Sequence, residues 1–261
     1  MKYEAAFFDV DWTLYDHASG RFVPSGIEAI KRLKKQGTKV FLCTARTYES
    51  IRTFGLYKLG IRWDGYISNA GGVAKVGNKY VLKQLVDHRI IQNLCKTITN
   101  LGRNLEIVTV KTRFMIHEPD EYTKSYYDFF KDPLPEVRPY KNEDCISVLF
   151  FGPKEFDTLI EKENPGLTYF RFAPYGMDIQ VLPHIKGVGI KAILDAINVK
   201  KENAIAFGDD IQDIPMADAC GTFVCMGNGK EATKKAAHFV TKRIEDDGLA
   251  YALEALGAFE N

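Results

Sequence analysis

Five carboxylates stand in two groups that could share one catalytic mouth. Asp9 and Asp11 follow the short apolar run Ala5-Ala6-Phe7-Phe8, and Asp209, Asp210 and Asp213 follow Ala204-Ile205-Ala206-Phe207-Gly208. Each group alone also reads as loop chemistry. Asp ends strands and closes turns, and acids at a helix start complement its dipole. Together they read differently. If the two strands are neighbours, the carboxylates converge at one end of a sheet. At an effective dielectric of about 20, each like-charge pair ~6 Å apart costs roughly 3 kcal/mol. Three close carboxylates would cost on the order of 8 kcal/mol, which rivals the stability of a whole domain. A bound divalent cation relieves the repulsion, and an all-oxygen set of few protein ligands favours Mg2+. Lys186 opens a helix pattern. As an isolated charge it opposes the helix dipole; beside an anion held at the same helix end it fits. Thr44 offers a hydroxyl and nearby backbone N–H groups after a third apolar run. Carboxylates, cation, lysine and hydroxyl together describe a phosphate site.

The elements that must position these side chains follow a rhythm. Ala5 to Val10 is apolar without alternation, as in a strand buried on both faces. A turn-rich stretch, 16–24, leads to a helix opened by Ser25 and Glu28 in a capping-box pattern and closed by Gly37. A strand over 39–43, a helix over 47–59 and a strand over 66–68 continue the alternation, which predicts a parallel sheet with right-handed crossovers. The rhythm then breaks. A hairpin about Gly77-Asn78 precedes a helix marked by Ile90, Leu94, Ile98 and Leu101, strand pairs over 106–116 and 169–182, a helix over 120–130, a proline-bearing loop over 132–140, a strand over 147–151 and a helix over 154–163. From Lys186 the first rhythm returns: helix 186–197, strand 204–207, helix 211–217, strand 222–225, helix 229–237, strand 239–240 and helix 248–256. The expected fold class is therefore α/β, a doubly wound parallel-sheet, Rossmann-like core built from 1–83 and 185–261, interrupted by an inserted α+β domain over 84–184. In such sheets ligands bind beyond the carboxyl ends of the strands, near the switch point. The acids, Thr44 and Lys186 all occupy places of that kind.

Composition excludes other classes. The 261 residues carry 35 Lys and Arg against 34 Asp and Glu, a net charge of +1, so no global field is present to hold nucleic acid or an acidic membrane. Hydrophobic residues at 46% are ordinary globular usage. Five cysteines, an odd number with no Cys-x-x-Cys, suit a reducing compartment. The four-residue apolar run near Met1 is too short for a signal peptide, no stretch approaches a membrane span, and the expected location is the cytoplasm. His117 has no second histidine at metal spacing, which argues against zinc.

Asp9-Val10-Asp11-Trp12-Thr13-Leu14, Thr44 in Leu42-Cys43-Thr44-Ala45-Arg46, Lys186 in His184-Ile185-Lys186-Gly187, and Gly208-Asp209-Asp210-Ile211-Gln212-Asp213 stand in this order, with the insert between the second and third. In these four motifs the chain resembles the haloacid dehalogenase (HAD) superfamily, and within it the Cof-type phosphatases with a class IIB α+β cap. The resemblance implies that Asp9 is the nucleophile, forming an aspartyl-phosphate, and that Asp11 is the general acid and then the base. It implies Mg2+ held by Asp9, the Asp11 carbonyl and Asp209, with Asp213 supporting. Thr44, the backbone at Ala45, and Lys186 would bind phosphate. Gln212 stands where such proteins usually carry Asn, so its phosphate contact is the weaker inference. Asn69 would orient loops. The insert would be a cap that excludes water and selects the leaving group; Arg113, His117, Tyr175 and Asp178 are its candidate contacts, while Met177 and Ile179 suit its interior. The expected substrate is a small phosphorylated metabolite, a sugar phosphate above all, and the expected assembly a monomer. A phosphomutase or a dedicated sugar-phosphate phosphatase of the same architecture, and a non-enzymatic phospho-acceptor or sensor module, are the alternatives.

Overall fold

The computed structural model describes residues 2–130, 132–172 and 174–259. The amino-terminal part contains β1 (Ala5–Phe8), β2 (Tyr15–Asp16), β3 (Arg21–Phe22), α1 (Pro24–Lys35), β4 (Lys39–Cys43), α2 (Tyr48–Thr53), β5 (Gly65–Ser68), β6 (Val73–Val76) and β7 (Lys79–Lys83). The middle contains α3 (His88–Asn100), β8 (Asn104–Thr109), β9 (Arg113–Met115), α4 (Glu121–Phe130), β10 (Glu136–Val137), β11 (Cys145–Phe151), α5 (Asp157–Glu163), β12 (Thr168–Phe172) and β13 (Gly176–Gln180). The carboxy-terminal part contains α6 (Lys186–Ile197), β14 (Ala204–Gly208), α7 (Met216–Ala219), β15 (Thr222–Cys225), α8 (Glu231–Ala236), β16 (Phe239–Val240) and α9 (Gly248–Ala255).

Two compact units result. One comprises Met1–Arg46, Ser50–Leu82 and His184–Asn261; the other comprises Thr47–Glu49 and Lys83–Pro183. The first holds an eight-stranded sheet in the order β16-β15-β14-β1-β4-β5-β6-β7. Its first six strands run parallel, and β6 turns back antiparallel to β5. The chain leaves β1 towards β4 and later returns to β14 on β1's other side, so the order reverses at β1. That reversal makes the carboxyl end of β1 the switch point, where a Rossmann-like α/β sheet opens a crevice. Every residue of β1 has no solvent exposure. Alternation sends Phe7 to one face, stacked on Phe41 at 5.1 Å within a cluster that includes Ile190 and Ile193 of α6, and Phe8 to the other, stacked on Phe207 at 5.2 Å. A strand apolar on both sides cannot sit at an edge without exposing one of those phenylalanines, and burying each is worth about 1.5–3 kcal/mol.

The second unit is a six-stranded sheet, β10-β9-β8-β11-β13-β12, antiparallel except for β10 on β9. One face carries Ile91, Leu94 and Ile98 of α3 against Leu105, Ile107, Val148, Phe150, Met177 and Ile179. Met177 and Ile179 are thus core residues of this unit, as expected for the interior of the insert.

Local expectations fail in instructive places. Ser25 does not cap α1; Val23 occupies the cap position without a side-chain bond, Pro24 opens the helix, and the Ser25 hydroxyl donates to Asp247. The helix expected over 47–59 is broken: α2 ends at Thr53, Gly55 adopts φ +87°, and only a single turn, Leu56–Lys58, follows. The helix expected over 211–217 is likewise a turn, Ile211–Asp213, separated from α7. The turn-rich stretch after Asp11 forms the small β2–β3 hairpin, and the proline loop contains β10. Among the described residues no helix is long and apolar enough to cross a membrane.

Candidate active site

β1 and β14 pair side by side, Ala5 against Ala204 through Phe8 against Phe207. The residues that follow them therefore emerge together. Asp9, Asp209 and Asp213, all buried, each present an oxygen within 4.8 Å of the others. Lys186, at the first position of α6, reaches between two of them: its Nζ donates to Asp9 Oδ1 at 2.6 Å and to Asp213 Oδ1 at 2.6 Å. A sequence separation of 177 residues closes to one hydrogen bond.

The turn after β14 is built around Asp213. Its Oδ2 accepts the N–H groups of Asp209 (2.8 Å) and Asp210 (3.0 Å), while Asp210 caps the same turn. With Lys186 on Oδ1, both oxygens of Asp213 are committed, so it braces the turn that presents Asp209. Gly208 is required here: a Cβ would stand 2.5 Å from the Asp213 carboxyl carbon. Asp209 is also tied by Thr13, whose hydroxyl donates to Oδ1 at 3.3 Å.

Burial sets the electrostatics. It raises the Asp9 carboxyl well above the carboxylate range, and repulsion from Asp213 and Asp209 adds to this against the pull of Lys186. Burial, then the charge of Asp213, pushes Asp209 up to about 7. Burial works against the Lys186 charge, but Asp213 and Asp9 outweigh it and raise the ammonium pKa. Three carboxylates against one ammonium leave a site short of positive charge, and every free donor is a hard oxygen. A divalent cation of the Mg2+ type fits that deficit.

Asp11 is treated differently, and the cation cluster does not include its carboxylate. Arg46 grips it with two bonds, Nε to Oδ2 at 2.9 Å and Nη2 to Oδ1 at 2.7 Å, and His17 Nε2 adds a third contact to Oδ1 at 2.7 Å. Burial alone would raise its pKa, but the Arg46 and His17 bonds outweigh burial and lower it. Arg46 is itself held over the Phe54 ring at 3.5 Å and by a bond to Ser50. Sequence reasoning assigned neither Arg46 nor His17 a part. For Arg46 a signal existed, a cation two residues past Thr44 in the same turn; His17 has none, because only the β2–β3 hairpin returns it to Asp11.

Thr44 directly follows β4 in a buried position, its Oγ accepting the Arg46 N–H at 3.1 Å. Ala45 is exposed beside it, and among the described residues nothing accepts its N–H. Asn69 and Ala70 brace this turn, Asn69 N–H to the Arg46 carbonyl and Ala70 N–H to that of Thr44. Gln212 is exposed, and its side-chain amide bonds to no described residue, so it is not drawn into the cluster. In the second unit Arg113 pairs with Asp132 at 2.7 Å near Glu106 and Tyr127, whereas His117 bonds Thr99 and Tyr175 packs on Tyr126 and Phe129. Asp178 is half-buried, accepts from Gln180 and is pushed up to about 6 by desolvation.

Comparison with known proteins agrees with this geometry. Residues 6–253 match the family of haloacid dehalogenase-like hydrolases, and the chain belongs to that family. It is a phosphatase of the family. It is 42% identical to the Bacillus subtilis (strain 168) 5-amino-6-(5-phospho-D-ribitylamino)uracil phosphatase YitU over 251 residues, 87% of this chain and 88% of that one. It is 27% identical to YkrA of the same organism, named as a phosphatase, over 98% of this chain and 99% of that one. The HAD subclass IIB sugar phosphatase BT4131 superposes with a TM-score of 0.77 at 26% identity, covering 97% of this chain and 99% of that one.

Proposed function

We propose that this chain is a Mg2+-dependent phosphatase that hydrolyses small phosphorylated metabolites through an aspartyl-phosphate on Asp9. The observation that carries the reading is the meeting of Asp9, Asp209, Asp213 and Lys186 at the carboxyl end of β1 while Asp11, two residues on, is held apart by Arg46. One carboxylate faces the charge-compensated pocket and the other faces a proton-transfer site, the division of labour a two-step displacement needs.

Asp9, Asp209 and the Asp11 carbonyl would hold the cation, with Asp213 bracing Asp209. When bound, it would shield the carboxylates from the phosphate's charge and steady the phosphoryl oxygens. Asp9 attacks phosphorus as the bond to the leaving oxygen breaks, and Asp11 supplies the proton to that oxygen. Water then attacks the same phosphorus, Asp11 accepts its proton, and Asp9 is released with inorganic phosphate. The Arg46 and His17 contacts keep Asp11 ionised, which suits the second step directly. The first step needs Asp11 protonated, so Arg46 must shift part of its charge to the incoming phosphate. Lys186, Thr44 and the Ala45 N–H supply donors to the phosphate oxygens.

The relatives support a phosphate monoester as substrate and suggest which to try: the ribitylamino-uracil phosphate of YitU and the sugar phosphates of BT4131. A metabolite screen with Mg2+, ranked by kcat/KM and led by p-nitrophenyl phosphate as a general probe, tests the reading. Asp9→Asn should abolish turnover; activity near that of the wild type would reject Asp9 as nucleophile.

A further inference from the structure

Six described residues other than glycine have positive φ, and four of them are Asn or Asp, which tolerate the left-handed region. Trp12, at φ +59°, is the bulky exception. Its backbone is locked from both sides. The Trp12 N–H donates to the Tyr15 carbonyl at 2.8 Å, and its own carbonyl accepts Asn228 Nδ2 at 2.9 Å, while Asn228 Oδ1 holds the Ile244 N–H. Surrounding structure thus imposes a conformation that glycine would adopt freely and tryptophan resists.

What this conformation produces is an indole displayed beside the proton-transfer residue. Trp12 is 41% exposed, and no described residue accepts its indole N–H. Its ring lies 5.1 Å from that of His17, whose Nε2 bonds Asp11. Tyr15 meets His17 edge-on at 4.9 Å and Phe54 at 4.6 Å, and Phe54 carries Arg46. The aromatic row thus backs the Arg46–Asp11–His17 network, and Trp12 is its solvent-facing end.

We propose that Trp12 determines leaving-group specificity by stacking on a flat ring carried by the alcohol, its N–H free to donate to a ring substituent. This rests on the phosphatase reading above, because the alcohol leaves from the oxygen that Asp11 protonates, one imidazole away from the indole. An indole face is a poor surface for a bare polyol, whose hydroxyls would lose water against it without gaining partners. A flat unsaturated ring loses little and gains stacking.

The test compares kcat/KM for phenyl phosphate and for glycerol 3-phosphate in the wild type, Trp12→Phe and Trp12→Gly. Glycine accepts the backbone conformation, so that variant is expected to fold. The intrinsic reactivity difference between the esters cancels between variants. The phenyl-to-glycerol ratio should fall roughly three- to tenfold in Trp12→Gly and be largely kept in Trp12→Phe. An equal loss on both esters would mark Trp12 as merely structural and overturn the proposal. A second arm titrates Asp9→Asn protein with phenyl phosphate and reads tryptophan emission as the difference between chains with Trp12 and with Trp12→Phe. A saturable change supports the contact, and none overturns it. If the wild type hydrolyses neither ester, the emission arm alone decides on Trp12, and the metabolite screen alone decides the phosphatase reading.

Discussion

Replacing Lys186 by Met tests the site at its electrostatic centre. Lys186 Nζ lies 2.6 Å from both Asp9 and Asp213, and all three side chains are buried. Methionine keeps most of the volume, so the packing change is small and the charge change dominates. Removing one partner of a buried ion pair costs about 3–5 kcal/mol, because the remaining charge is left uncompensated. For a chain of this size each kcal/mol moves Tm by roughly 2–4 °C, so the variant should melt about 6–20 °C below the wild type at neutral pH. The deficit should depend on pH in a definite sense. Without the ammonium, the Asp9 carboxyl, already raised by burial, holds a proton that it loses on unfolding, so the variant loses stability as pH rises through the acid range. The gap to the wild type is then smallest near pH 5 and largest at neutrality. Millimolar Mg2+ should recover part of the deficit at neutral pH, and phosphatase turnover should be lost throughout. Scanning calorimetry across pH, with and without Mg2+, is the assay. A neutral-pH Tm within about 2 °C of the wild type, or a deficit independent of pH, would refute the argument that Lys186 compensates a buried carboxylate cluster.

Gly208→Ala should destabilise by about 1–3 kcal/mol and weaken Mg2+ binding, since the new methyl stands 2.5 Å from the Asp213 carboxyl carbon; calorimetric titration with Mg2+ reads the second effect. Arg46→Gln removes the two-bond grip on Asp11 and should lower kcat more than it raises KM, while Asp11→Asn should either trap a phosphoenzyme or block its formation; denaturing gels of protein incubated with labelled substrate separate these, and an unchanged turnover rate for Asp11→Asn would remove its acid–base role. Excess EDTA should stop turnover and lower Tm; persistence of activity would count against the metal. Glu106, pushed up to about 7 by burial against the pull of Arg113, holds a proton that it loses on unfolding. Stability should therefore fall between about pH 4.5 and 7, by at most ~3 kcal/mol, and Glu106→Gln should flatten that slope in urea titrations.

Much of the architecture was legible because it is written in local patterns. β1 and β14 read as buried strands from short apolar runs, and the helix expected over 186–197 matches α6 in its bounds. The change of rhythm after Ser68 was legible because hairpins and amphipathic helices carry their own period, but the β6–β7 hairpin stays in the first unit's sheet and the main segment of the second unit begins only at Lys83. What failed were places where a single residue overrides a pattern. Gly55 breaks the expected helix after Thr53, and Pro24 pre-empts the cap that Ser25 and Glu28 advertise.

The sequence by itself determined the cast of the site: which strands end in acids, which helix begins with a lysine, and that these types together suit phosphate and a hard cation. Only the tertiary structure decided who touches whom. Asp11 bonds to Arg46 and His17 and leaves the cation cluster to Asp9, Asp209 and Asp213, while Gln212 stands apart, exposed. The physical reason is reach. Periodicity, caps and turns act over a few residues, whereas strand order is settled by which apolar faces bury one another. A lysine 177 positions away meets Asp9 only once β14 has docked beside β1.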